Sequence, residues 1–206
     1  MKLRDGSEVV IRPIEPRDRE LFLTGFAELS PESRYLRFLS PMTQLDPKWV
    51  DYLTIVDHHD HEALIAETPS EDPVGVARYI RCADDPAAAE VALTVVDRWQ
   101  GRGAGSALLA LLAVRAREEG ITTFRATCLA ENRAMLDLLR ALGTETRKST
   151  DHGVVEVAVD LPAEIETGNA LHAALRHAAG ARLNFRHPLP PGEGDGGAGR
   201  DAVGGG

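Results

Sequence analysis

The sequence predicts an α/β (α+β) fold in which strands and helices alternate within one domain. Three observations lead to this prediction: short segments rich in β-branched residues, helical segments that begin with a capping side chain followed by proline, and a long apolar helix after a glycine-rich turn. The chain has 206 residues, 43% hydrophobic and 27% charged, so it can bury the core of one domain and has room for an extension.

The first half of the chain contains a strand, three helices and a further set of strands. Ser30-Pro31 and Asp46-Pro47 are typical helix starts, because the side-chain oxygen caps free N–H groups and the proline there has no N–H to leave unpaired. The elements predicted here are a strand over 8–13, helices over 18–29, 31–38 and 47–55, and strands over 62–68, 74–81 and 90–96.

The second half continues this alternation and then changes in composition. The predicted elements are a helix over 107–119 that ends at Gly120, a strand over 122–129, a helix over 131–142 that ends at Gly143, and a strand over 154–160 that closes the sheet. Pro162 follows this strand. We therefore expect a domain over 1–161, a C-terminal helical extension over 162–181 and a disordered glycine-rich tail over 182–206.

The glycine-rich turn at 101–106 is the most informative segment for function. Gly101, Gly103 and Gly105 lack a Cβ, so successive backbone N–H groups can face one anion, and the following helix adds its positive end. Arg102 adds a cation in the same turn. The turn therefore predicts a pyrophosphate site; the alternative is a strand-to-helix connection in which the glycines only permit tight packing.

What the turn lacks narrows the ligand. A P-loop ends in Gly-Lys-Ser/Thr, and no lysine is present here; a dinucleotide-binding fingerprint needs a third glycine where this chain has Ser106. Gln100, Gly103 and Gly105 instead match Gln/Arg-x-x-Gly-x-Gly/Ala, and the segment therefore resembles the central motif of the GCN5-related N-acetyltransferases (GNAT family). The segment from Asn132 to Gly143 resembles the second signature of that family.

The resemblance implies acetyl-CoA as co-substrate and a central mixed, mostly antiparallel sheet of six to seven strands, splayed between its fourth and fifth strands and flanked by helices. Backbone groups where the sheet splays align the pantetheine arm, and one N–H stabilises the oxyanion of the tetrahedral intermediate. The cofactor-binding residues implied are Val95, Val96, Gln100, Gly101, Arg102, Gly103, Ala104, Gly105, Ser106 and Asn132. Asn132 is also a candidate for a plain helix cap.

Two N-terminal segments, 3–13 and 30–38, resemble the start of the acetyltransferase domain of bacterial protein lysine acetyltransferases that silence acyl-CoA synthetases. This resemblance implies a protein lysine acceptor, for example in an acyl-CoA synthetase, and Glu90 as the general base that removes the proton of the amine. The chain departs from the family at Leu139, where many members carry the tyrosine that protonates the thiolate, and at Thr144, where an aromatic residue is usual. The alternatives are a small-molecule amine N-acetyltransferase and a non-catalytic acyl-CoA sensor, which Leu139 favours.

Charge and hydropathy bear on partners and location. The net charge is −9, and residues 46–90 hold 11 acidic against 3 basic residues, a distribution that disfavours nucleic acid and favours a cationic partner. The alternative is a solvated acidic surface. With neither an apolar run long enough to span a membrane nor an apolar signal segment, we expect a cytoplasmic protein; Cys82 and Cys128 favour neither a disulfide framework nor a zinc site.

Histidine and carboxylate residues are concentrated in the segment from Asp57 to Glu62. A metal site is disfavoured, since neighbouring side chains of an extended chain point to opposite sides and acetyl transfer needs no metal. No metal is therefore expected. The preferred hypothesis places Asp57, Asp60 and Glu62 on an acidic rim that receives the cationic lysine.

Overall fold

A computed structural model of the protein describes residues 1–163, in which seven strands form one sheet and five α-helices flank it. The elements are β1 (Val10–Pro13), α1 (Arg19–Ala27), α2 (Pro31–Phe38), α3 (Pro47–Thr54), β2 (His61–Glu67), β3 (Pro73–Arg81), β4 (Ala88–Val95), α4 (Ala104–Glu118), β5 (Thr123–Leu129), α5 (Arg133–Leu142), β6 (Thr144–Asp151) and β7 (Val154–Asp160). The strand order is β1-β2-β3-β4-β5-β7-β6. All neighbouring pairs are antiparallel except β4 and β5, which confirms the predicted mixed, mostly antiparallel sheet.

The two proline-led helices begin where the sequence predicts. The Oγ of Ser30 accepts a hydrogen bond from the N–H of Ser33 at 3.1 Å, and a carboxylate oxygen of Asp46 accepts one from the N–H of Lys48 at 2.7 Å. Each side chain satisfies an N–H that has no partner within its helix. These caps fix the N-terminal ends of α2 and α3.

Two elements differ from the prediction. The helix predicted from residue 107 begins at Ala104, because the N–H of Ala107 already bonds to the carbonyl of Gly103. The first turn of α4 therefore lies inside the glycine-rich segment. β6 was not predicted, since its polar sequence lacks apolar alternation; it forms as an edge strand that pairs with β7 through the turn at His152-Gly153, where both residues have positive φ.

Apolar residues cover both faces of the sheet. Successive side chains of β2 alternate in direction, so Leu64 and Ala66 join a large cluster with α4, whereas Ala63 and Ile65 join a second cluster on the opposite face. The apolar helix α4 supplies Leu108, Leu109 and Leu112 to the large cluster, each at most 1% exposed. Burial on both faces gives the sheet a fixed position against the helices.

The sheet splays between β4 and β5, as predicted. The two strands pair only from Ala88 to Glu90, and β4 then continues for five residues without a partner on that side. The N–H of Cys82 bonds to the carbonyl of Ala88 and the N–H of Val96 to the carbonyl of Val74, so the even-numbered residues of β4 face β3. The backbone groups of the odd-numbered residues after the last pair, at 91, 93 and 95, consequently point into the gap.

Several expectations concern other parts of the chain. The helical extension and the glycine-rich tail lie outside the described residues, apart from Pro162 and Ala163 at the start of the extension. Cys82 is half-buried, Cys128 is buried, and both are free thiols. Within residues 1–163, no helix has the length and apolar character needed to cross a membrane.

Candidate active site

The gap between β4 and β5 opens into a cavity of about 680 Å³, which we call the donor cavity. Its walls come from the unpaired end of β4, the glycine-rich turn, the first turn of α4, and α5. Of the ten residues predicted to bind a cofactor, the lining contains Val95, Gln100, Gly101, Gly103, Gly105, Ser106 and Asn132. The structure thus brings together residues from three separate segments of the chain.

The three glycines of the turn are required for two different reasons. Gly101 and Gly103 have φ of 73° and 99°, a conformation that residues with a Cβ rarely adopt. At Gly105, a Cβ would lie 3.1 Å from a methyl carbon of Leu93 and 3.3 Å from one of Leu138. Because the first hydrogen bond of α4 is donated by Ala107, the preceding N–H groups of the helix have no acceptor within it, and an anion can take that place.

Three of the predicted residues lie away from the cavity lining. The N–H of Val96 donates to the carbonyl of Val74 at 3.0 Å, and the side chains of Val96 and Ala104 are buried in the core. The guanidinium of Arg102 lies 3.4 Å from the carboxylate of Asp5 and stacks over the ring of Trp99. The side chain of Arg102 is therefore engaged by Asp5 and Trp99, and Arg102 is absent from the cavity lining.

Arg4, and not the predicted Arg102, lines the donor cavity beside the glycine-rich turn. The backbone N–H of Arg4 donates to the carbonyl of Arg102 at 3.1 Å, which ties the N-terminal segment to the glycine-rich turn. Arg4 lines the donor cavity and has no ion pair with a carboxylate among the residues described. Arg4 carries no local signal in the sequence, because the turn that it contacts is distant along the chain. Asp5, the residue after Arg4, is 97 positions from Arg102.

Gln100 and Asn132 have structural roles beside the cavity. The side-chain amide nitrogen of Gln100 lies 3.1 Å from the carbonyl of Val95 and 3.2 Å from the Oγ of Ser33, so it holds the end of β4 against α2. The side-chain oxygen of Asn132 accepts a hydrogen bond from the N–H of Met135 at 3.1 Å, which makes it the N-cap of α5. Both residues also line the donor cavity, where the family resemblance predicts the coenzyme arm.

The position expected for a catalytic tyrosine does not face the cavity. Leu139 is 1% exposed and belongs to the large core cluster, whereas its neighbour Leu138 lines the donor cavity. A side chain at 139 in this geometry packs into the core. Leu139 therefore supplies no proton donor to the donor cavity.

A second cavity of about 660 Å³, which we call the acceptor cavity, lies beyond β4. Glu90 lines it and is exposed, at the last residue of β4 that pairs with β5. The two cavities share Arg37, Val91, Ala92 and Thr127 in their walls. A group in the donor cavity and a group in the acceptor cavity can therefore meet beside the middle of β4.

The acidic-rim hypothesis is wrong for the segment from Asp57 to Glu62. The carboxylate of Asp57 accepts hydrogen bonds from the backbone N–H groups of His59, Asp60 and His61, and Asp60 pairs with Arg81 at 2.6 Å. Glu62 is fully buried and lies 3.3 Å from Arg115. None of the three carboxylates lines either cavity, and residues 1–163 contain no group of three side chains arranged to hold a metal ion.

The splayed mixed sheet with a glycine-rich helix start at the splay is the arrangement that the resemblance to the N-acetyltransferases implies. The model of the Acetyltransferase (GNAT) family matches residues 23–144, and the chain belongs to this family. It is accordingly an acetyltransferase, and acetyl-CoA is the donor that the family uses.

Three relatives place the chain more closely. It is 37% identical to "Acetyltransferase Pat" of Mycolicibacterium smegmatis over 79% of this chain and 48% of that protein, and 34% identical to "Acetyltransferase PA5475" of Pseudomonas aeruginosa over 72% of this chain and 81% of that one. The crystal structure of the GNAT domain of S. lividans PAT matches with a TM-score of 0.72 at 37% identity, over 78% of this chain and 95% of that chain. The chain thus spans about half the length of the M. smegmatis relative.

A more distant structure shares the fold and contains the donor. The structure of yncA from Salmonella typhimurium, solved with its cofactor acetyl-CoA, has a TM-score of 0.59 at 19% identity, over 79% of this chain and 98% of that chain. At this identity the match concerns the fold alone. It is consistent with the family membership established above.

Proposed function

We propose that this acetyltransferase transfers the acetyl group of acetyl-CoA to the side-chain amine of a protein lysine, with Glu90 as the general base. The observation that carries the proposal is the junction of the two cavities, with Glu90 on the acceptor side. The similarity to two relatives that are named Pat supports a protein lysine as the acceptor. A cytoplasmic location remains a prediction of the sequence.

On the donor side, we assign the phosphates of acetyl-CoA to the turn at 101–106 and the N-terminus of α4. Neither lysine nor metal is needed there, since free N–H groups and the helix dipole stabilise an anion. The pantetheine arm runs along the unpaired end of β4, where the N–H groups of Leu93 and Val95 point into the gap. Val96 is left out of this assignment because its N–H is already bonded to Val74.

On the acceptor side, the lysine ammonium must lose a proton before it can attack. Its ordinary pKa is about 10.4, so at neutral pH a base is needed, and Glu90 takes the proton directly or through water. The amine nitrogen then attacks the thioester carbon, and an N–H of β4 stabilises the oxyanion. The C–S bond breaks, and the coenzyme A thiolate, with an ordinary thiol pKa of about 8.5, takes a proton from solvent.

The test uses the full chain with acetyl-CoA and two sets of amines, lysine peptides from acyl-CoA synthetases and small-molecule amines. Release of the free thiol is measured together with mass spectrometry of the products. Acetylated lysine in the peptides is the expected result. Turnover confined to the small amines would instead identify a small-molecule N-acetyltransferase, and acetyl-CoA binding without any turnover would identify an acyl-CoA sensor.

The arrangement of Arg4 and Arg102 yields a separate prediction for donor binding. We expect Arg4→Gln to raise the KM for acetyl-CoA about fivefold with little change in kcat, because a charge-assisted hydrogen bond to phosphate is lost. Arg102→Gln is the matched control and should change the KM less than about twofold, since Arg102 is paired with Asp5. A larger effect of Arg102→Gln than of Arg4→Gln would return the phosphate contact to Arg102.

A further inference from the structure

Two guanidinium groups of the acceptor cavity have no carboxylate partner among the residues described. Arg78 on β3 is 3% exposed and donates to a ring nitrogen of His61 at 3.0 Å and to the carbonyl of Leu53 at 3.1 Å. Arg37, in the last turn of α2, lines both cavities and contacts the face of the Phe38 ring. Both arginines thus line the acceptor cavity, and no carboxylate within residues 1–163 pairs with either guanidinium.

Three other buried or partly buried arginines within residues 1–163 each lie beside a carboxylate. Arg12 lies 2.6 Å from Asp18, Arg115 lies 3.3 Å from Glu62, and Arg125 in the same cavity lies 3.0 Å from Asp84. A buried charge is costly unless an opposite charge accompanies it. Arg37 and Arg78 lack such a partner within residues 1–163. Arg34, which is partly buried, also lacks one, but its guanidinium donates to the carbonyls of Ala27 and Thr43 and lines neither cavity. Arg37 and Arg78 both line the acceptor cavity, which has room for an anion from outside the fold.

Both groups keep their charge at neutral pH. Burial lowers the pKa of Arg37 to about 10, and burial together with the charge of Arg37 lowers the pKa of Arg78 to about 9. Both side chains line the acceptor cavity. The hydrogen bond of Gln100 to Ser33 and that of the Ser30 N–H to Asp97 hold α2, and with it Arg37, against the end of β4.

The carboxylates of the cavity do not neutralise the pair. Asp84 is engaged by Arg125, and Glu156 is near Ser149. Glu90 forms no ion pair with either arginine among the residues described. Glu90 thus remains available as base, while the two arginines present an anion site in the same cavity.

We propose that Arg37 and Arg78 hold a carboxylate of the acceptor while its amine lies at Glu90. The planar guanidinium fork matches a carboxylate in geometry and charge. The inference rests on the proposed function and narrows its acceptor to an amine with a carboxylate within reach. That carboxylate belongs either to an acidic residue beside a target lysine or to a free amino-acid-like amine, and the two sources have separate arms in the test.

The test compares matched acceptors. The first pair is Nα-acetyl-lysine, which has a free carboxylate, and its neutral methylamide. The second pair is two lysine peptides that differ only in having Asp or Asn next to the lysine. For each pair, the ratio of kcat/KM for the charged over the neutral acceptor is measured. We expect a ratio of about ten or more in at least one pair for the unmodified protein and a ratio near one for Arg37→Gln.

Because each variant is compared with itself on two acceptors, a general loss of activity or folding cancels from the ratio. Arg37→Lys should restore part of the preference, since it keeps the charge but not the fork. Arg125→Gln is the matched control and should leave the ratio unchanged, because Arg125 already pairs with Asp84 and Asp85. Preference in the peptide pair alone assigns the carboxylate to a protein, and preference in the free pair alone assigns it to a small molecule.

Calorimetric titration of the same acceptors into the CoA-bound protein measures carboxylate binding without turnover. Tighter binding of the charged acceptor, lost in Arg37→Gln, supports the anion site. Equal binding and a ratio near one in the unmodified protein would overturn it while leaving the proposed function intact. Failure of every amine to be acetylated, with carboxylate-dependent binding retained, would overturn the proposed function but not the anion site.

Discussion

Replacing Glu90 by Gln is expected to lower kcat about 100-fold at neutral pH, because a positioned general base contributes about 10²-fold or more. The amide cannot take a proton, so only the small deprotonated fraction of the amine reacts. The rate of the variant should recover toward that of the unmodified protein as the pH approaches the ordinary lysine pKa of about 10.4. Steady-state kinetics from neutral to alkaline pH measure both effects.

Binding of acetyl-CoA, followed by calorimetry, should be unchanged in Glu90→Gln, since Glu90 lines the acceptor cavity and not the donor cavity. Glu156→Gln is the matched control, because this carboxylate lines the same cavity from β7. We expect its kcat to change less than about threefold, as befits a surface carboxylate outside the reaction. An unchanged kcat in Glu90→Gln at neutral pH would reject Glu90 as the base.

The largest effect on stability is expected for Arg115→Met, which we predict to lower the free energy of unfolding by about 3 kcal/mol. Arg115 is 4% exposed, lies 3.3 Å from Glu62, and also pairs with Glu118 and Glu119. Burial lowers the pKa of Arg115, but the charge of Glu62 and those of its neighbours outweigh this and raise it. Methionine leaves the carboxylate of the fully buried Glu62 with a ring nitrogen of His58 at 2.7 Å and the N–H of Ala63 at 2.9 Å.

Urea unfolding followed by circular dichroism measures this loss. Arg140→Met serves as the control, since Arg140 is exposed and pairs with the exposed Asp137. Its removal should cost less than about 1 kcal/mol. A similarly small loss for Arg115→Met would show that Glu62 is accommodated without its arginine.

The parts of the fold that follow local rules could be predicted from sequence. Ser30-Pro31 and Asp46-Pro47 fix their helices through contacts two or three residues away, and the β-branched segments give the positions of most strands to within two residues. β6 escaped prediction because its residues are polar and it is ordered by pairing with β7. The start of α4 was placed three residues late, because the glycines were read as loop although the helix begins among them.

The proposed donor site rests on a compact motif in the sequence, whereas the charged groups around it have no such motif. Asp57, Asp60 and Glu62 were placed on an acidic rim by their number alone; their partners Arg81 and Arg115 are distant in sequence and come near only in the fold. Arg4, Arg37 and Arg78 were missed for the same reason. The sequence around a single arginine does not indicate its role. That role depends on whether the folded chain places a carboxylate beside the guanidinium.

The short pairing of β4 with β5 has a mechanical consequence for the catalytic cycle. Within residues 1–163, the ladder between β4 and β5, which connects β1–β4 to β5–β7 in the sheet, contains three residue pairs. With the pantetheine amides bonded along β4, as we propose, the donor completes the missing edge and links the two halves. Each release of coenzyme A removes that link, so turnover alternates the protein between a continuous and an interrupted sheet.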